Sequence, residues 1–540
     1  MTSAHFDTFV RDRLPPREQC PQLLFDVPEL RYPARFNCAG VLLDAAVAEG
    51  DGERTAIVDE HRRLTYRELL VEANRIAAVL TDDLALVPGN RVLLRGFNDT
   101  TTAACWYGIV KAGCIAVTTM PLLRAVELIE VIERARIDVA LCDANLAAEL
   151  EAALPRANAS AQTVYWNDNA PDSLLERMRR QSGAFATVDT AADDPVLIAF
   201  TSGTTGRPKA TVHVHRDVLA ICDTFAAQHV LAKADDVFCG TPSLAFTFGL
   251  GGLLLFPARV RAAALLLAAP TPDVLLTAAA EHRATICFAA PTAYRAMAAA
   301  AARAGAPALR TCVSAGEALA LATRSAWRSA TGLDLIDGIG ATEMLHIFIA
   351  ASGAAVRPGA TGTPVRGYVA TVLDDDGRAA GRNVVGRLAV RGPTGCRYLA
   401  DERQRQYVQN GWNVTGDAYL IDDDGYFWYQ SRTDDMIVSS GYNIAGPEVE
   451  AALLQHDLVR ECAVVGVPDA ARGVLVKAFV VLRADAKPVE ATARELQDFV
   501  KATIAPYKYP RVVEFVEELP RTQTGKLQRY VLREREETVT

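Results

Sequence analysis

The chain has 540 residues, of which 50% are hydrophobic and 22% are charged, so its composition is that of a folded protein with a large buried core. Its formal net charge of -9 gives no broad positive field, which excludes nucleic acid and anionic membranes as principal partners. The 11 cysteines occur without a CxxC pair, a usage typical of the reducing cytoplasm rather than of a disulfide-stabilised secreted domain.

Neither the N-terminal segment nor the most apolar region indicates export or membrane insertion. Residues 1–16 carry charges and prolines where a secretory signal needs an uninterrupted apolar stretch. Residues 244–269 are interrupted by Pro257, Arg259 and Arg261, so they fall short of a membrane span of roughly 20 residues. We therefore predict a cytoplasmic protein without a membrane partner, with residues 244–269 as buried core. Monomer and homodimer both stay open.

Helical and strand-like segments alternate from about Arg62 onward. Residues 65–80 and 103–113 have apolar side chains at helical spacing, and residues 91–96 are typical of a short strand between them. Further short apolar runs end in small or polar residues, as parallel strands do when they lead into loops and helices. These runs are residues 139–142, 196–200, 285–288, 310–313 and 333–336. The pattern predicts an α/β fold.

The character of the chain changes after Gly386. Short strand candidates at residues 387–392 and 425–430 are joined by turns rich in Asp and Gly, which indicates a sheet of different geometry. The last hundred or so residues then alternate helices and strands and are long enough for a separate small domain. The predicted helices are residues 446–456 and 494–504, and the predicted strands are residues 462–467, 478–483 and 511–516.

The strongest local signal is TSGTTGRPK, residues 201–209, which directly follows the strand candidate at residues 196–200. Its glycines permit close backbone approach, so N–H groups and hydroxyls can surround phosphate oxygens. A flexible turn is the alternative, but the strand context and the terminal lysine favour a phosphate loop. A Walker A site is disfavoured because Gly206 is followed by Arg207. The predicted ATP-binding residues here are Thr201, Ser202, Gly203, Thr204, Thr205, Gly206 and Lys209.

This loop resembles that of the superfamily of acyl-CoA synthetases, nonribosomal adenylation domains and firefly-luciferase-like enzymes. Further resemblances follow in the same order, in GIGATE at 338–343, TGD at 415–417, SRTDDMIVSSGYNI at 431–444 and PRTQTGKLQR at 520–529. The resemblance implies a large adenylate-forming domain, residues 1–433, with parallel sheets, helices and a small β-subdomain. It also implies a small mobile α+β domain, residues 434–540.

The resemblance assigns roles in an ATP-dependent ligase that forms an acyl-adenylate and then a thioester. Thr342 corresponds to a threonine that meets the phosphate, Glu343 to a magnesium ligand, and Lys526 to the catalytic lysine between the acid and the α-phosphate. A carboxylate attacking a phosphate brings two anions together, and a metal ion and a lysine suit the charge that develops. The remaining nucleotide contacts are assigned to Gly316, Glu317, Asp337, Asp417 and Arg432.

Coenzyme A is the acceptor thiol that the resemblance implies. Asp434 corresponds to the family hinge, and Ser440, Gly441 and Tyr442 correspond to the loop that lines the pantetheine tunnel. An aryl-acid enzyme that loads a carrier-protein phosphopantetheine is the rival, but no carrier segment follows Lys526, which favours free coenzyme A. A non-catalytic nucleotide-binding protein is disfavoured, since Glu343 and Lys526 are both present.

Two segments predict the acid. Residues 243–252 contain no carboxylate to pair with an α-amino group, so an amino acid is disfavoured. AFTFGLGGLLLFP, residues 245–257, and TEMLHIF, residues 342–348, resemble the benzoate-CoA ligase branch, especially 2-aminobenzoate-CoA ligases. The predicted acid-pocket residues are Thr247, Phe248, Ala315, Gly340, His346 and Ile347.

Three histidines and the hydroxyl of Thr247 allow more detailed predictions about structural roles and contact with the acid. For His346, core packing and contact with the aryl acid both stay open. His213 and His215 show no metal-ligand pattern, so we expect structural roles for both. For Thr247, we hypothesise a hydroxyl that meets an ortho amino or hydroxy substituent.

Overall fold

The structure is a computed structural model in which most of the chain is described. The described residues are 2–157, 161–201, 208–304, 308–432, 435–439, 442–469, 473–484, 486–504, 508–521 and 527–539. Within these ranges, two large sheets with covering helices come first, and smaller sheets built mainly of antiparallel strands follow. The structure therefore confirms the predicted α/β class.

The first large sheet has nine strands within the described residues. They are β1 (Thr55–Val58), β2 (Arg63–Thr65), β9 (Val237–Gly240), β10 (Ala263–Leu265), β11 (Ile286–Ala289), β12 (Thr311–Ala315), β13 (Leu335–Gly340), β14 (Ile347–Ala350) and β15 (Thr363–Pro364). The spatial order is β15-β14-β13-β12-β11-β9-β10-β1-β2. Its centre is parallel, while β2, β14 and β15 pair antiparallel, so the loops after β12 and β13 open at the same edge.

The second large sheet has six strands in the described chain. They are β3 (Arg91–Arg95), β4 (Ile115–Thr119), β5 (Val139–Asp143), β6 (Gln162–Trp166), β7 (Pro195–Thr201) and β8 (Lys209–Val214). The order is β6-β5-β3-β4-β7-β8, and all neighbours are parallel except β7 and β8. The predicted strands at residues 139–142 and 196–200 lie here, and those at 285–288, 310–313 and 333–336 lie in the nine-stranded sheet.

Helices cover the sheets and begin where the sequence offers capping groups. Thr65 and Glu68 form a capping box at the start of the helix predicted at residues 65–80. Asp99 accepts a hydrogen bond of 2.6 Å from the Thr102 N–H at the next helix. The helices are α1 (Ala45–Ala48), α2 (Tyr66–Ala78), α3 (Thr100–Lys111), α4 (Ala125–Ala135), α5 (Ala147–Ala153), α6 (Leu174–Arg179), α7 (His215–Ile221), α8 (Thr247–Leu250), α9 (Phe256–Arg259), α10 (Pro272–Glu281), α11 (Pro291–Ala304), α12 (Leu321–Thr331), α13 (Gln404–Tyr407), α14 (Gly446–Leu453), α15 (Glu490–Thr503) and α16 (Arg529–Val539).

Short helical turns of other geometry extend or connect these helices. The π-helical turns are Gly40–Asp44, Val79–Asp83, Cys222–Val230 and Gly251–Leu255. The 3-10 turns are Arg11–Arg13, Arg17–Gln19, Pro28–Leu30, Ala144–Leu146, Thr342–Met344 and Gly353–Ala355. Two of them, Gly251–Leu255 and Thr342–Met344, lie at the candidate site.

The apolar stretch at residues 244–269 is buried core, as predicted. Leu253, Leu255 and Leu266 are fully buried within the main hydrophobic cluster, and Phe256 is 1% exposed. Of the helices described, none combines the length and the apolar character that crossing a bilayer requires.

The sheet geometry changes along the chain as predicted. Five antiparallel strands come first in the described residues: β16 (Val369–Leu373), β17 (Gly386–Arg391), β18 (Val408–Gln409), β19 (Trp412–Ile421) and β20 (Phe427–Arg432). A hairpin follows, of β21 (Met436–Ser439) and β22 (Tyr442–Ala445). The final sheet contains β23 (Val459–Asp469), β24 (Gly473–Leu482) and β25 (Val512–Phe515), and α14 and α15 contribute to its hydrophobic core.

Candidate active site

Part of the predicted site lies outside the residues that the structure describes. The predicted residues outside the described ranges are Ser202, Gly203, Thr204, Thr205, Gly206, Asp434, Ser440, Gly441 and Lys526. For Tyr442, the structure describes the backbone, which starts β22. The described part of the site consists of the elements that flank these positions.

The strands on either side of the predicted phosphate loop form an antiparallel pair. Thr201 at the end of β7 is the register partner of Lys209 at the start of β8, so residues 202–208 connect neighbouring strand ends. Arg134 of α4 donates a hydrogen bond of 2.5 Å to the Pro208 carbonyl oxygen and pairs with the Asp401 carboxylate at 2.8 Å. The C-terminal end of the loop is therefore tied to two other parts of the chain.

The 3-10 turn Thr342–Met344 follows β13 at the edge where β12 also ends. Its Glu343 is 8% exposed, and its Oε1 atom accepts a 2.5 Å hydrogen bond from the hydroxyl of Tyr398. Burial and the adjacent Glu343 raise the pKa of Tyr398 far above its usual range, so the hydroxyl remains a donor. The Lys209 ammonium lies 5.3 Å from the centroid of the Tyr398 ring, which brings β8 to the same place.

A buried polar chain holds the backbone of the same turn. The Nε2 atom of His213 lies 2.8 Å from the Thr342 carbonyl oxygen, and its Nδ1 atom lies 3.6 Å from Asp217 Oδ2. Asp217 in turn accepts a 2.7 Å hydrogen bond from Arg397. Burial opposes ionisation of Asp217, but Arg397 and His213 outweigh it and hold the pKa of this carboxyl well below its usual range. The buried ion pair of Arg397 and Asp217 is thus connected through His213 to the carbonyl oxygen of Thr342.

The structural role expected for both histidines agrees with these contacts. His215 is 1% exposed, and its Nδ1 atom accepts a 3.1 Å hydrogen bond from the Cys38 N–H. Burial lowers the pKa of His215 to about 3, so it stays neutral. His213 is also structural, but what it supports is the turn that carries Thr342 and Glu343.

Asp417 and Arg432 are brought together by the antiparallel sheet. They are register partners on β19 and β20. The Nη1 group of Arg432 donates a 3.0 Å hydrogen bond to Asp417 Oδ1. The backbone at Gly416 has a φ of 78°, and a Cβ there would lie 2.9 Å from the Arg432 guanidinium. The left-handed backbone favours glycine at this position, whereas the guanidinium at the end of a flexible side chain could move away from a Cβ.

Three predicted nucleotide contacts lie on or directly after two neighbouring parallel strands. Asp337 on β13 is the register partner of Ser314 on β12, and Gly316 and Glu317 follow that strand directly. Loss of hydration raises the pKa of Asp337 from 3.8 to about 7, although Arg324 opposes the rise. Asp337 therefore titrates close to neutral pH.

His346 lies within a cluster of aromatic rings and is 3% exposed. Its ring centroid is 4.6 Å from that of Phe256, 5.4 Å from Phe225, 5.6 Å from Phe248 and 6.4 Å from Phe288. Among the described residues, neither imidazole nitrogen makes a hydrogen bond of good geometry, although the backbone of Phe248 lies close to the ring. Burial lowers the pKa of His346 to about 3 and outweighs this backbone contact, so the ring is neutral.

The other predicted pocket residues surround the same segment. Gly340 is the register partner of Ile347, and Ala315 is the partner of Gly338, where a Cβ would lie 2.7 Å from the Ile347 side chain. Thr247 is 9% exposed and begins α8, next to Phe248. The structure therefore places Ala315, Gly340 and Ile347 on neighbouring strands, brings Phe248 to His346, and puts Thr247 next to Phe248 in the chain.

Several residues of the site carried no usable signal in the sequence. Tyr398, Asp217 and Arg397 precede or follow ordinary strand and turn residues, and no local spacing marks them. Phe225, Phe256 and Phe288 resemble core residues until the fold brings them to His346. A buried charge within an apolar segment, such as Asp217 in HVHRDVLAI, is the one signal that could have indicated a buried ion pair.

Comparisons with known proteins agree with this geometry. A family model described as AMP-binding enzyme matches residues 44–398, and one described as AMP-binding enzyme C-terminal domain matches residues 448–526. The benzoate–CoA ligase of Thauera aromatica is 34% identical, covering 94% of this chain and 97% of that protein. A 4-hydroxybenzoate–CoA/benzoate–CoA ligase of Rhodopseudomonas palustris is 33% identical, covering 92% and 94%.

Solved structures show the same similarity. The anthranilate CoA ligase AuaEII in complex with anthranoyl-AMP matches with a TM-score of 0.89 and 33% identity, covering 95% of this chain and 99% of that one. A benzoate CoA ligase from Burkholderia xenovorans LB400 matches with a TM-score of 0.85 and 34% identity, covering 92% and 100%.

Proposed function

The chain belongs to the AMP-binding enzyme family and is an AMP-forming acid–thiol ligase, and we propose that its acid is a benzoate-like aryl acid, with 2-aminobenzoate preferred. ATP and the acid form an acyl-adenylate with release of pyrophosphate. The thiol of coenzyme A then displaces AMP and leaves the acyl-CoA thioester.

One observation carries this proposal. The six residues from Thr342 to Ile347 join a polar turn, where Glu343 meets Tyr398, to the aromatic cluster around His346. A small acid whose ring lies in that cluster would have its carboxylate directed towards the turn. Activation of an acid needs this juxtaposition, because the carboxylate must meet the α-phosphate in line for attack.

We assign the nucleotide to the polar side of this segment. Glycine N–H groups and hydroxyls of a loop between two strand ends suit phosphate oxygens, and Lys209 adds a positive charge. Asp417 can accept hydrogen bonds from the ribose hydroxyls, with Arg432 donating beside it. The full proposed set is Thr201, Ser202, Gly203, Thr204, Thr205, Gly206, Lys209, Gly316, Glu317, Asp337, Thr342, Asp417 and Arg432.

Magnesium is the metal that fits Glu343. Mg²⁺ is usually bound through one or two carboxylates together with phosphate oxygens and water. Glu343 is a buried carboxylate with one oxygen hydrogen-bonded to Tyr398, and its second oxygen suits a hard cation. When bound, the ion would neutralise the negative charge of the phosphates.

The acid and ATP sites are assigned to a large domain, residues 1–433, and the hinge and the catalytic lysine to a small domain, residues 434–540. Lys526 would bridge the acid and the α-phosphate during adenylation, and rotation at Asp434 would remove it before the thiol enters. Ser440, Gly441 and Tyr442 would then line the path of the pantetheine arm. The separate family match to residues 448–526 supports this division.

We assign an aryl acid with a polar ortho substituent to the cluster around His346. Phe248 is half-buried and can meet a planar acid, while the fully buried ring of Phe288 packs behind it with the two centroids 5.5 Å apart. The neutral imidazole of His346 makes no hydrogen bond of good geometry among the described residues, so a polar substituent of the acid could satisfy it. Thr247 adds a hydroxyl beside Phe248. The similarity to an anthranilate CoA ligase supports the same choice.

A pyrophosphate-release screen tests the proposal. Aryl, fatty and α-amino acids are compared with ATP and Mg²⁺, with and without coenzyme A. We expect release with 2-aminobenzoate, salicylate and benzoate, and acyl-CoA product when coenzyme A is present. Activity restricted to long-chain acids or to amino acids would refute the assignment of the acid.

A further inference from the structure

Tyr398 is a buried residue that contacts Glu343 and is not part of the proposed set of ligand-binding residues. It is 1% exposed, and its hydroxyl makes the single hydrogen bond that the described residues provide to the Glu343 side chain. A hydrogen bond to one carboxylate oxygen favours one direction of the side chain. Within the described part of the chain, Tyr398 is therefore the group that orients the Glu343 carboxylate.

The backbone of Tyr398 is fixed by neighbouring strands. Its segment lies along β8, where the Val212 N–H donates to the Arg397 carbonyl at 2.8 Å and the Leu399 N–H donates to the Ala210 carbonyl at 2.9 Å. The Tyr398 N–H itself donates to the side-chain oxygen of Gln404 at 2.8 Å. The tyrosine therefore extends from a rigid strand edge rather than from a free loop.

The same part of the chain also holds the turn that carries Glu343. The hydroxyl of Thr394 donates a 2.8 Å hydrogen bond to the Met344 carbonyl oxygen, and both groups are buried. Thr394 is four residues before Tyr398, so both contacts come from one segment. Thr394 bonds to the backbone of the turn at Met344, and Tyr398 bonds to the side chain of Glu343. Backbone and carboxylate are positioned from the same side.

We propose that Tyr398 is a positioning residue for the metal ligand Glu343: its hydroxyl holds Oε1 and leaves the second carboxylate oxygen to the Mg²⁺ ion that accompanies ATP. This inference rests on the proposed function. Groups that orient a metal ligand through a hydrogen bond typically contribute about 10- to 100-fold to metal affinity or activity when they are removed.

The test is the Tyr398→Phe variant, which removes the hydroxyl and keeps the ring. The Mg²⁺ concentration for half-maximal acid-dependent pyrophosphate exchange should rise by about 10- to 100-fold. Mn²⁺ binding in the presence of a non-hydrolysable ATP analogue, followed by electron paramagnetic resonance, should weaken by a similar factor without any turnover. Conversion of supplied aryl-AMP and coenzyme A to thioester should not change, which also shows that the variant is folded.

Tyr66→Phe is the matched control, because it removes another buried tyrosine hydroxyl. The Tyr66 hydroxyl donates to the carbonyl oxygens of Ala262 at 2.7 Å and Pro257 at 3.4 Å, and among the described residues it makes no hydrogen bond to Glu343. This variant should lower stability slightly and leave the Mg²⁺ dependence as it is. An equal shift of the Mg²⁺ dependence in both variants contradicts the positioning role.

A double-variant cycle separates positioning from a general disturbance. If Tyr398 acts through Glu343, then Tyr398→Phe combined with Glu343→Gln should exchange pyrophosphate no more slowly than Glu343→Gln alone. Additive losses, or a Tyr398→Phe enzyme with wild-type Mg²⁺ dependence, overturn the inference. Failure of the wild-type enzyme to exchange pyrophosphate with any acid overturns the proposed function instead.

Discussion

His213 Nε2 lies 2.8 Å from the Thr342 carbonyl oxygen, and this contact joins the two large sheets of the protein at the candidate site. His213 belongs to β8 of the six-stranded sheet, whereas Thr342 follows β13 of the nine-stranded sheet. The strand that follows the proposed phosphate loop is thereby held against the turn that carries Glu343. We therefore expect adenylation to depend on this buried histidine.

Replacing His213 by Asn should slow adenylation selectively. The shorter side chain cannot reach the Thr342 carbonyl, and a displacement of about 1 Å at a reacting centre can cost about 100-fold in rate. We expect a 10- to 100-fold loss in pyrophosphate exchange with an unchanged rate of thioester formation from supplied aryl-AMP. His215→Asn is the control, since His215 is equally buried but contacts Cys38. Equal effects of both replacements would refute the role of His213.

Replacing Arg397 by Met should destabilise the fold. Asp217 is fully buried and would lose its 2.7 Å partner, and breaking one side of a buried ion pair costs about 3–5 kcal/mol. Urea denaturation followed by circular dichroism measures the loss. The double variant Asp217→Asn with Arg397→Met should recover part of it, because no uncompensated charge remains. A double variant less stable than Arg397→Met alone would contradict this explanation.

Asp337 should make stability fall as the pH rises towards neutrality. Its pKa is raised in the folded state to about 7 from an ordinary 3.8, so its favourable contribution is complete below pH 3.8 and is lost as the pH rises through 7. Asp337→Asn should therefore match the wild type near pH 4 and exceed it at pH 8, by about 1–2 kcal/mol after allowing for partial exposure. Denaturation curves at the two pH values measure the difference, and a pH-independent difference would exclude this explanation.

Thr247 should affect the choice of ring substituent. A site built to hydrogen-bond a substituent rejects an acid that lacks it, because a buried polar group is then left unpaired. Thr247→Ala should reduce the preference for 2-aminobenzoate and salicylate over benzoate by about 10-fold in kcat/KM. Competition assays with the three acids provide the measurement. An unchanged preference in the variant sinks the hypothesis for Thr247.

Lys526 should be needed in one half-reaction only. Lys526→Ala should reduce pyrophosphate exchange by about 100-fold or more, since a positive charge at the developing pentavalent phosphate is lost. Thioester formation from supplied aryl-AMP and coenzyme A should persist, because the proposed hinge rotation removes this lysine from the site. Loss of both half-reactions would contradict the division of labour between the two domains.

Much of the fold follows from the sequence. The apolar runs at residues 139–142, 196–200, 285–288, 310–313 and 333–336 all form strands of the two large sheets, because buried parallel strands give continuous apolar segments. The change after Gly386 likewise corresponds to an antiparallel sheet. Strand order could not be read in this way, since β10 and β9 lie between β1 and β11 through contacts that no local pattern records.

The sequence by itself predicted the chemistry, because the loop at residues 201–209, the turn at 342–344 and the TGD at 415–417 are contiguous segments that resemble the phosphate, metal and ribose segments of the family. Only the tertiary structure decided what holds them. Tyr398 and Glu343 are 55 residues apart in the sequence, and His213 and Thr342 are 129 residues apart. Strand register and packing bring each pair into contact. Such contacts depend on which strand edges come together in the folded chain, and periodicity and motif spacing carry no information about that.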